Sequence, residues 1–159
     1  MKNLCVLILV LIILAMSACT TKVNTEADLA AIREAGRNLM TALSENNAEA
    51  IMVGLSADHI TMAPNTPTFS DMAKLRAWHE ERIAQFKYGV EFSSKEIHIA
   101  GVWAIECWTA KPILTPKDGG SPIKDIIKGI WIWRCEETDG TWKLARSIWN
   151  SDNPIPTTE

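Results

Sequence analysis

Residues 129 to 150 read Gly-Ile-Trp-Ile-Trp-Arg-Cys-Glu-Glu-Thr-Asp-Gly-Thr-Trp-Lys-Leu-Ala-Arg-Ser-Ile-Trp-Asn, and their alternation on both sides of Asp139-Gly140 predicts a β-hairpin. An Asp-Gly pair accepts the positive φ angles of a two-residue type I′ loop, whose twist matches the strands it joins. Placing Thr138 opposite Thr141 then sets a register in which Trp133 faces Arg146, Trp131 faces Ile148, Ile132 faces Ser147 and Ile130 faces Trp149. Side chains two apart share a face, so this register divides the hairpin into two separate surfaces.

The remainder of the chain supplies partners for that hairpin. Thr25 is a candidate N-cap, with Asp28 three residues on, and Leu29, Ile32, Gly36, Leu39, Met40 and Leu43 follow at helical spacing. Ser44 to Asn47 interrupts this helix, and Ala48, Ile51, Met52 and Leu55 predict a second, short one. Asp58 to Ala63 alternates as a first strand until Pro64 and Pro67 stop it. Ser70 or Asp71 caps a third helix whose buried stripe is Met72, Leu75, His79, Arg82, Ile83 and Phe86, with Trp78 flanking. Strands are then predicted over 90–100, 102–110, 123–136 and 141–150, with a long loop over 111–121. Helices first and an antiparallel meander afterwards indicate an α+β domain.

With 159 residues, 47% of them hydrophobic, the chain supports one core rather than two. Its formal charge of −3 offers no basic stripe for phosphates, which excludes nucleic acid as an expected partner. No internal repeat is present.

The amino terminus has a different character. Lys2 precedes an apolar run from Leu4 to Ala15, and Met16-Ser17-Ala18-Cys19 follows. The run is shorter than the ~20 residues that a membrane span requires. The segment resembles a bacterial lipoprotein signal, in which residues 1–18 are removed and the Cys19 thiol takes up the lipid. That resemblance implies a tether over 19–24 and a domain held at the bacterial cell envelope, outside the cytoplasm, by its lipid anchor. The tail over 155–159 is expected to fray. Cys107 and Cys135 would then lie in a compartment that permits disulfides. Pairing the strand over 102–110 with the one over 123–136 puts Cys107 opposite Trp131, several residues from Cys135 at ~3.3 Å each, beyond disulfide reach. Two free, buried thiols are expected.

The order of helix, short helix, Ala57-Asp58 leading into a strand that ends at Pro64, capped helix, and a final Asp-Gly-Thr-Trp-Lys hairpin before Trp149-Asn150-Ser151-Asp152 is similar to the SnoaL-like branch of the nuclear transport factor 2 and ketosteroid isomerase superfamily. The resemblance covers residues 25–154. It implies a cone-shaped, cystatin-like fold: three helices on a strongly bent antiparallel sheet, with an apolar cavity between them. It also implies dimers through the outer sheet face, which are common in such proteins. In isomerase relatives a carboxylate base directly precedes the proline that closes the first strand, and here that residue is Ala63. Leu39 stands where those enzymes carry the tyrosine that stabilises the oxyanion. Proton transfer beside a carbonyl needs both groups, so that activity is not expected.

Taking Trp149 as an aromatic that points into the pocket, as in relatives, strand parity assigns the cavity lining. Trp149, Ser147 and Ala145 join Ile130, Ile132 and Arg134 across the hairpin and Ala104, Glu106 and Trp108 on the next strand. His59 and Thr61 share the parity of Ala63. Glu106 beside Trp108 and Trp149 is the best acid/base candidate, because burial there would raise its pKa. The competing and preferred reading is an ion pair with Arg134, a diagonal neighbour. His59 is a second candidate base, although a partly exposed strand position beside Asp58 is the reading preferred for it.

The opposite face would hold Trp103, Ile105, Trp131, Trp133, Trp142, Leu144, Arg146 and Ile148, too apolar to remain wet. A second copy of the chain is the expected cover, with tryptophan and arginine as anchors. No metal-ligand spacing, phosphate-cradling glycine loop or Gly-x-Ser-x-Gly elbow is present, and no cofactor is expected. The expected function is binding of a small, mostly apolar molecule. The alternatives are an isomerase, cyclase or hydrolyase using Glu106 or His59 as base, or a dimeric scaffold without ligand.

Overall fold

A computed structural model describes residues 25–153. The expected signal over 1–18, Cys19 with its tether, and the tail over 155–159 lie outside the described residues. Three helices, α1 (Glu26–Ser44), α2 (Ala48–Val53) and α3 (Met72–Gln85), accompany six strands: β1 (Leu55–Met62), β2 (Phe86–Ala100), β3 (Trp103–Pro116), β4 (Ile123–Lys124), β5 (Ile127–Cys135) and β6 (Trp142–Ser151).

The helices begin where side chains replace missing backbone partners. The Thr25 hydroxyl accepts from the Asp28 N–H at 3.2 Å, and Asp71 Oδ1 accepts from the N–H groups of Ala73 and Lys74 at 2.8 and 3.2 Å. From α1, Ile32, Gly36 and Leu39 of the predicted stripe are buried together with Ala42, while Leu29, Met40 and Leu43 are half-buried. No helix among the described residues is long and apolar enough to cross a membrane.

The sheet runs in the order β1-β6-β5-β3-β2, with β4 paired to β3. It is the curved, three-helix α+β architecture expected, with one correction. The sheet is mixed rather than antiparallel, because β1 lies parallel to β6, with Thr61 beside Ser147. The expected loop over 111–121 is also shorter than predicted, since β3 continues to Pro116 opposite the start of β2.

The final hairpin departs from its predicted register for two local reasons. Asp139 uses its carboxylate to accept from the backbone and hydroxyl of Thr141, at 2.9 and 2.7 Å, and only Gly140 takes a positive φ, of 71°. The loop therefore closes between Glu136 and Thr141, whose backbone bond is 2.8 Å, and not between Thr138 and Thr141. Farther along, the register shifts between Ile132 and Trp133: Trp133 pairs with Leu144 but Ile132 with Arg146, leaving Ala145 as an extra residue. This bulge reverses parity along β6, so Trp142 and Leu144 lie on the same face as Ser147 and Trp149.

The consequence is a reassignment of side chains. Trp131, Trp133 and Trp142, expected on the outer face, are buried in the core, with Trp133 at 0% exposure. Ile130, Ile132 and Arg134, expected in the cavity, lie on the outer face with Trp103, Ile105, Arg146 and Ile148. Inside, Trp131 stacks on Phe92 at 5.1 Å between centroids and meets Trp108 at 5.0 Å and Trp133 edge-on at 5.5 Å. This aromatic cluster fills the sheet side of the core under α1. Cys107 and Cys135 are not bonded to each other, as expected; Cys135 is buried, while Cys107 is only half-buried because it points outward on β3.

Candidate functional site

A cavity of about 450 Å³ lies between the concave face of the sheet and the helices. Its apolar wall comes from Leu39, Met40 and Leu43 of α1, from Trp78 of α3, and from Phe86, Trp108, Trp131 and Trp149 of the sheet. The inward residues of β1 and β6 contribute one polar patch of the wall: His59, Thr61 and Ser147, all buried. A depression of about 420 Å³ between α2 and α3, around the exposed Glu49–Arg76 pair, contains none of these buried polar groups.

The three polar groups are held by one another. A carbonyl can only accept, so His59 Nδ1–H donates to the Leu144 oxygen at 2.8 Å, and Nε2 is left as the acceptor. The Thr61 hydroxyl lies 2.8 Å and the Ser147 hydroxyl 3.3 Å from that nitrogen, and the two hydroxyls are 3.3 Å apart. Burial lowers the His59 pKa to about 4, against the favourable pull of the Leu144 carbonyl, so the ring is neutral. His79, on the same wall, is lowered to about 4 by burial and then by the nearby positive charge of Arg82.

The spacing of Ser147 and His59 is that of a nucleophile and its base, yet an imidazole titrating near pH 4 is a weak base at neutral pH. Thr61 also has the shorter bond to the same nitrogen. The chemistry available at this patch is hydrogen bonding to a bound molecule through the two hydroxyls.

Glu106 is fully buried but is absent from the cavity wall. It lies beneath α1 near Gly36, where the Trp133 indole N–H donates to Oε2 at 2.8 Å and Oε1 makes no hydrogen bond of good geometry. Burial pushes its carboxyl up, opposed by the Ser94 hydroxyl, the Trp133 indole and the charge of Arg33. The expected ion pair with Arg134 does not form. Arg134 points outward and grips Asp58 with two bonds of 2.9 Å, then Glu136 at 3.1 Å. That grip holds the Asp58 carboxyl down at about 2.

Of the other expected cavity residues, Trp108, Trp149, Ser147, Thr61 and His59 are on the wall, and Arg134, Ile130 and Ile132 are not, because of the Ala145 bulge. His59 is buried rather than partly exposed. Sequence reasoning missed Trp131, His79, Arg82 and Tyr88 as wall residues. A signal for two of them existed: His79 and Arg82 are polar positions within the apolar stripe of α3. Among the described residues, no three His, Cys, Asp or Glu side chains come together as a metal site.

No protein-family model matches the sequence, and no curated protein is detectably similar to it. Solved structures are. A ketosteroid isomerase-like protein from Erwinia carotovora superposes with a TM-score of 0.74 at 20% identity, over 82% of this chain and 100% of that one. A conserved protein from Planctomyces limnophilus gives 0.74 at 20% identity, covering 80% and 99%. A nuclear transport factor 2-like superfamily protein from Salmonella enterica gives 0.68 at 12%, covering 80% and 93%.

The fold is nuclear transport factor 2-like. Identities this low carry the fold alone, so chemistry must be read from the site. In this nuclear transport factor 2-like cone, Ala63 and Leu39, the residues aligned by resemblance with the isomerase base and oxyanion donor, both contribute to the cavity wall as apolar groups.

Proposed function

We propose that this chain is a binding domain for one small, mostly apolar molecule, held in the cone by aromatic walls and oriented by the hydroxyls of Thr61 and Ser147. The observation that carries the reading is the cavity itself, about 450 Å³ among largely apolar side chains, within the range of small-molecule sites. A scaffold whose cone is filled by its own side chains would leave no such volume. The enzyme reading rests on Glu106 or His59 as base, and neither suits it. Glu106 is not on the cavity wall, and both ring nitrogens of His59 are engaged. Likeness to a ketosteroid isomerase-like protein raises isomerisation as an idea, but Ala63 and Leu39 offer no proton acceptor and no oxyanion donor.

The Leu4–Ala15 run and Cys19 support placing this domain at a bacterial membrane surface, through a lipid on Cys19. Cys19→Ala should move the protein from the membrane to the soluble fraction, and unchanged partitioning would remove the anchor from the proposal.

Native mass spectrometry of protein extracted from its own cells tests the binding reading. The expected spectrum contains the chain plus one small organic molecule that is lost on denaturation. Bare chain alone, under conditions that preserve noncovalent adducts, would contradict it.

A further inference from the structure

Building on the binding reading above, we propose that the bound molecule carries a single anionic group and that Arg82, oriented by Tyr88, receives it. Arg82 stands in the last turn of α3, half-buried, on the cavity wall. Its Nε–H donates to the Tyr88 hydroxyl at 2.8 Å. The guanidinium carbon lies 5.0 Å from the centroid of the Trp78 ring and 5.9 Å from that of Tyr88, so two aromatic side chains hold the fork in place.

What the fork lacks is an acid. Among the described residues no carboxylate comes within ion-pair distance of Arg82, and neither Nη1 nor Nη2 has a protein acceptor. The single acidic side chain on the wall, Asp125, is occupied elsewhere: its Oδ1 accepts from the Ser151 hydroxyl, the Asn153 amide and the Ile126 N–H, each at 2.7 Å. The two wall histidines are neutral near pH 7. Among the described residues, the Arg82 guanidinium therefore stands on the wall without an acidic partner in contact. Service to the carboxyl end of α3 does not account for it, because Lys117 Nζ donates to the Ile83 carbonyl there, at 2.6 Å.

A planar fork with free N–H groups matches a carboxylate or another oxyanion in two-bond geometry. Around it the walls are apolar and aromatic, which suits an aromatic or alkyl body. The ligand class is an aromatic or aliphatic acid, with its charged group at Arg82 and its body along Trp108 and Trp149.

Two dyes isolate the charge. N-phenyl-1-naphthylamine and 8-anilinonaphthalene-1-sulfonate share one aromatic body, and only the second has an anionic group. The ratio of their affinities should fall by roughly ten-fold in Arg82→Gln, the scale of one charge-assisted contact. In Tyr88→Phe, which only frees the fork, the ratio should fall less. An unchanged ratio in Arg82→Gln would overturn the anionic group and leave the binding reading standing, whereas saturable binding of neither dye to the wild-type chain would overturn the binding reading itself. Should Arg82→Gln fail to fold, the wild-type protein decides: decanoate should displace the neutral dye at lower concentration than decanol, and equal or reversed potency would overturn the proposal.

Discussion

His59 and His79 set the acid sensitivity of this protein. Each has a folded pKa of about 4 against an ordinary value of 6.5, so between these values the unfolded chain binds protons that the folded chain does not. Their contribution to stability is complete above pH 6.5 and declines as pH falls toward 4, on the order of 1 kcal/mol per pH unit for each ring. Thermal unfolding across that window should show Tm falling with acidification, and NMR midpoints of both imidazoles should lie below 5. A flat Tm, or midpoints near 6.5, would contradict the burial described. Glu106 works in the opposite sense. Its folded pKa is raised, so its contribution is present below the ordinary 4.5 and is lost as pH rises through the folded value. Glu106→Gln retains an oxygen for the Trp133 indole and should leave Tm at pH 8 equal to or above that of the wild type. At this scale the sequence was partly readable. A glutamate at an inward position flanked by tryptophans foretold burial and a raised pKa, but its partner depended on which way Arg134 points, which lay outside local pattern.

That direction is a property of elements, and it turns on Ala145. The predicted register placed the whole 142–149 strand on one unbroken alternation, and one extra residue reversed half of it. The charges hold the trace that local periodicity hid. Lys143 and Arg146 differ in parity and can both face outward only if a residue is inserted between them, and Lys128 and Arg134 share the parity that the structure turns out. Helix caps and the pairing of consecutive strands were legible because they depend on neighbours in sequence. The bulge and the parallel β1–β6 pairing depend on contacts made only on folding. Gly129 belongs to the same element scale, because Trp108 lies against it. A Cβ there would stand 2.5 Å from both the Trp108 ring and the Ile148 carbonyl oxygen. Gly129→Ala should destabilise by about 1–3 kcal/mol through overpacking, and should disturb near-UV circular dichroism from the tryptophan cluster. A variant with unchanged Tm would mean that Trp108 does not lie as described.

At the scale of the molecule, the inner and outer faces of the sheet divide the work. The corrected outer face remains apolar at Trp103, Ile105, Ile130 and Ile148, each at least 40% exposed. We propose that a second copy of this chain covers it, since its flanking charges are already paired, Arg134 and Arg146 with Asp58 and Glu136 and Lys128 with Asp152, and present no net repulsion to a like surface. Light scattering should give a dimer that Ile130→Lys converts to monomer, and a wild-type monomer at micromolar concentration would remove the interface. The inner face meets its decisive test in energy transfer from the wall tryptophans, Trp78, Trp108, Trp131 and Trp149, to N-phenyl-1-naphthylamine. Titration should be saturable, with one dye per chain, and should be abolished in Ala110→Phe, which places a ring in the cavity. Absence of saturation in the wild type, or binding unaffected by that ring, would contradict a hollow cone built to hold a small molecule.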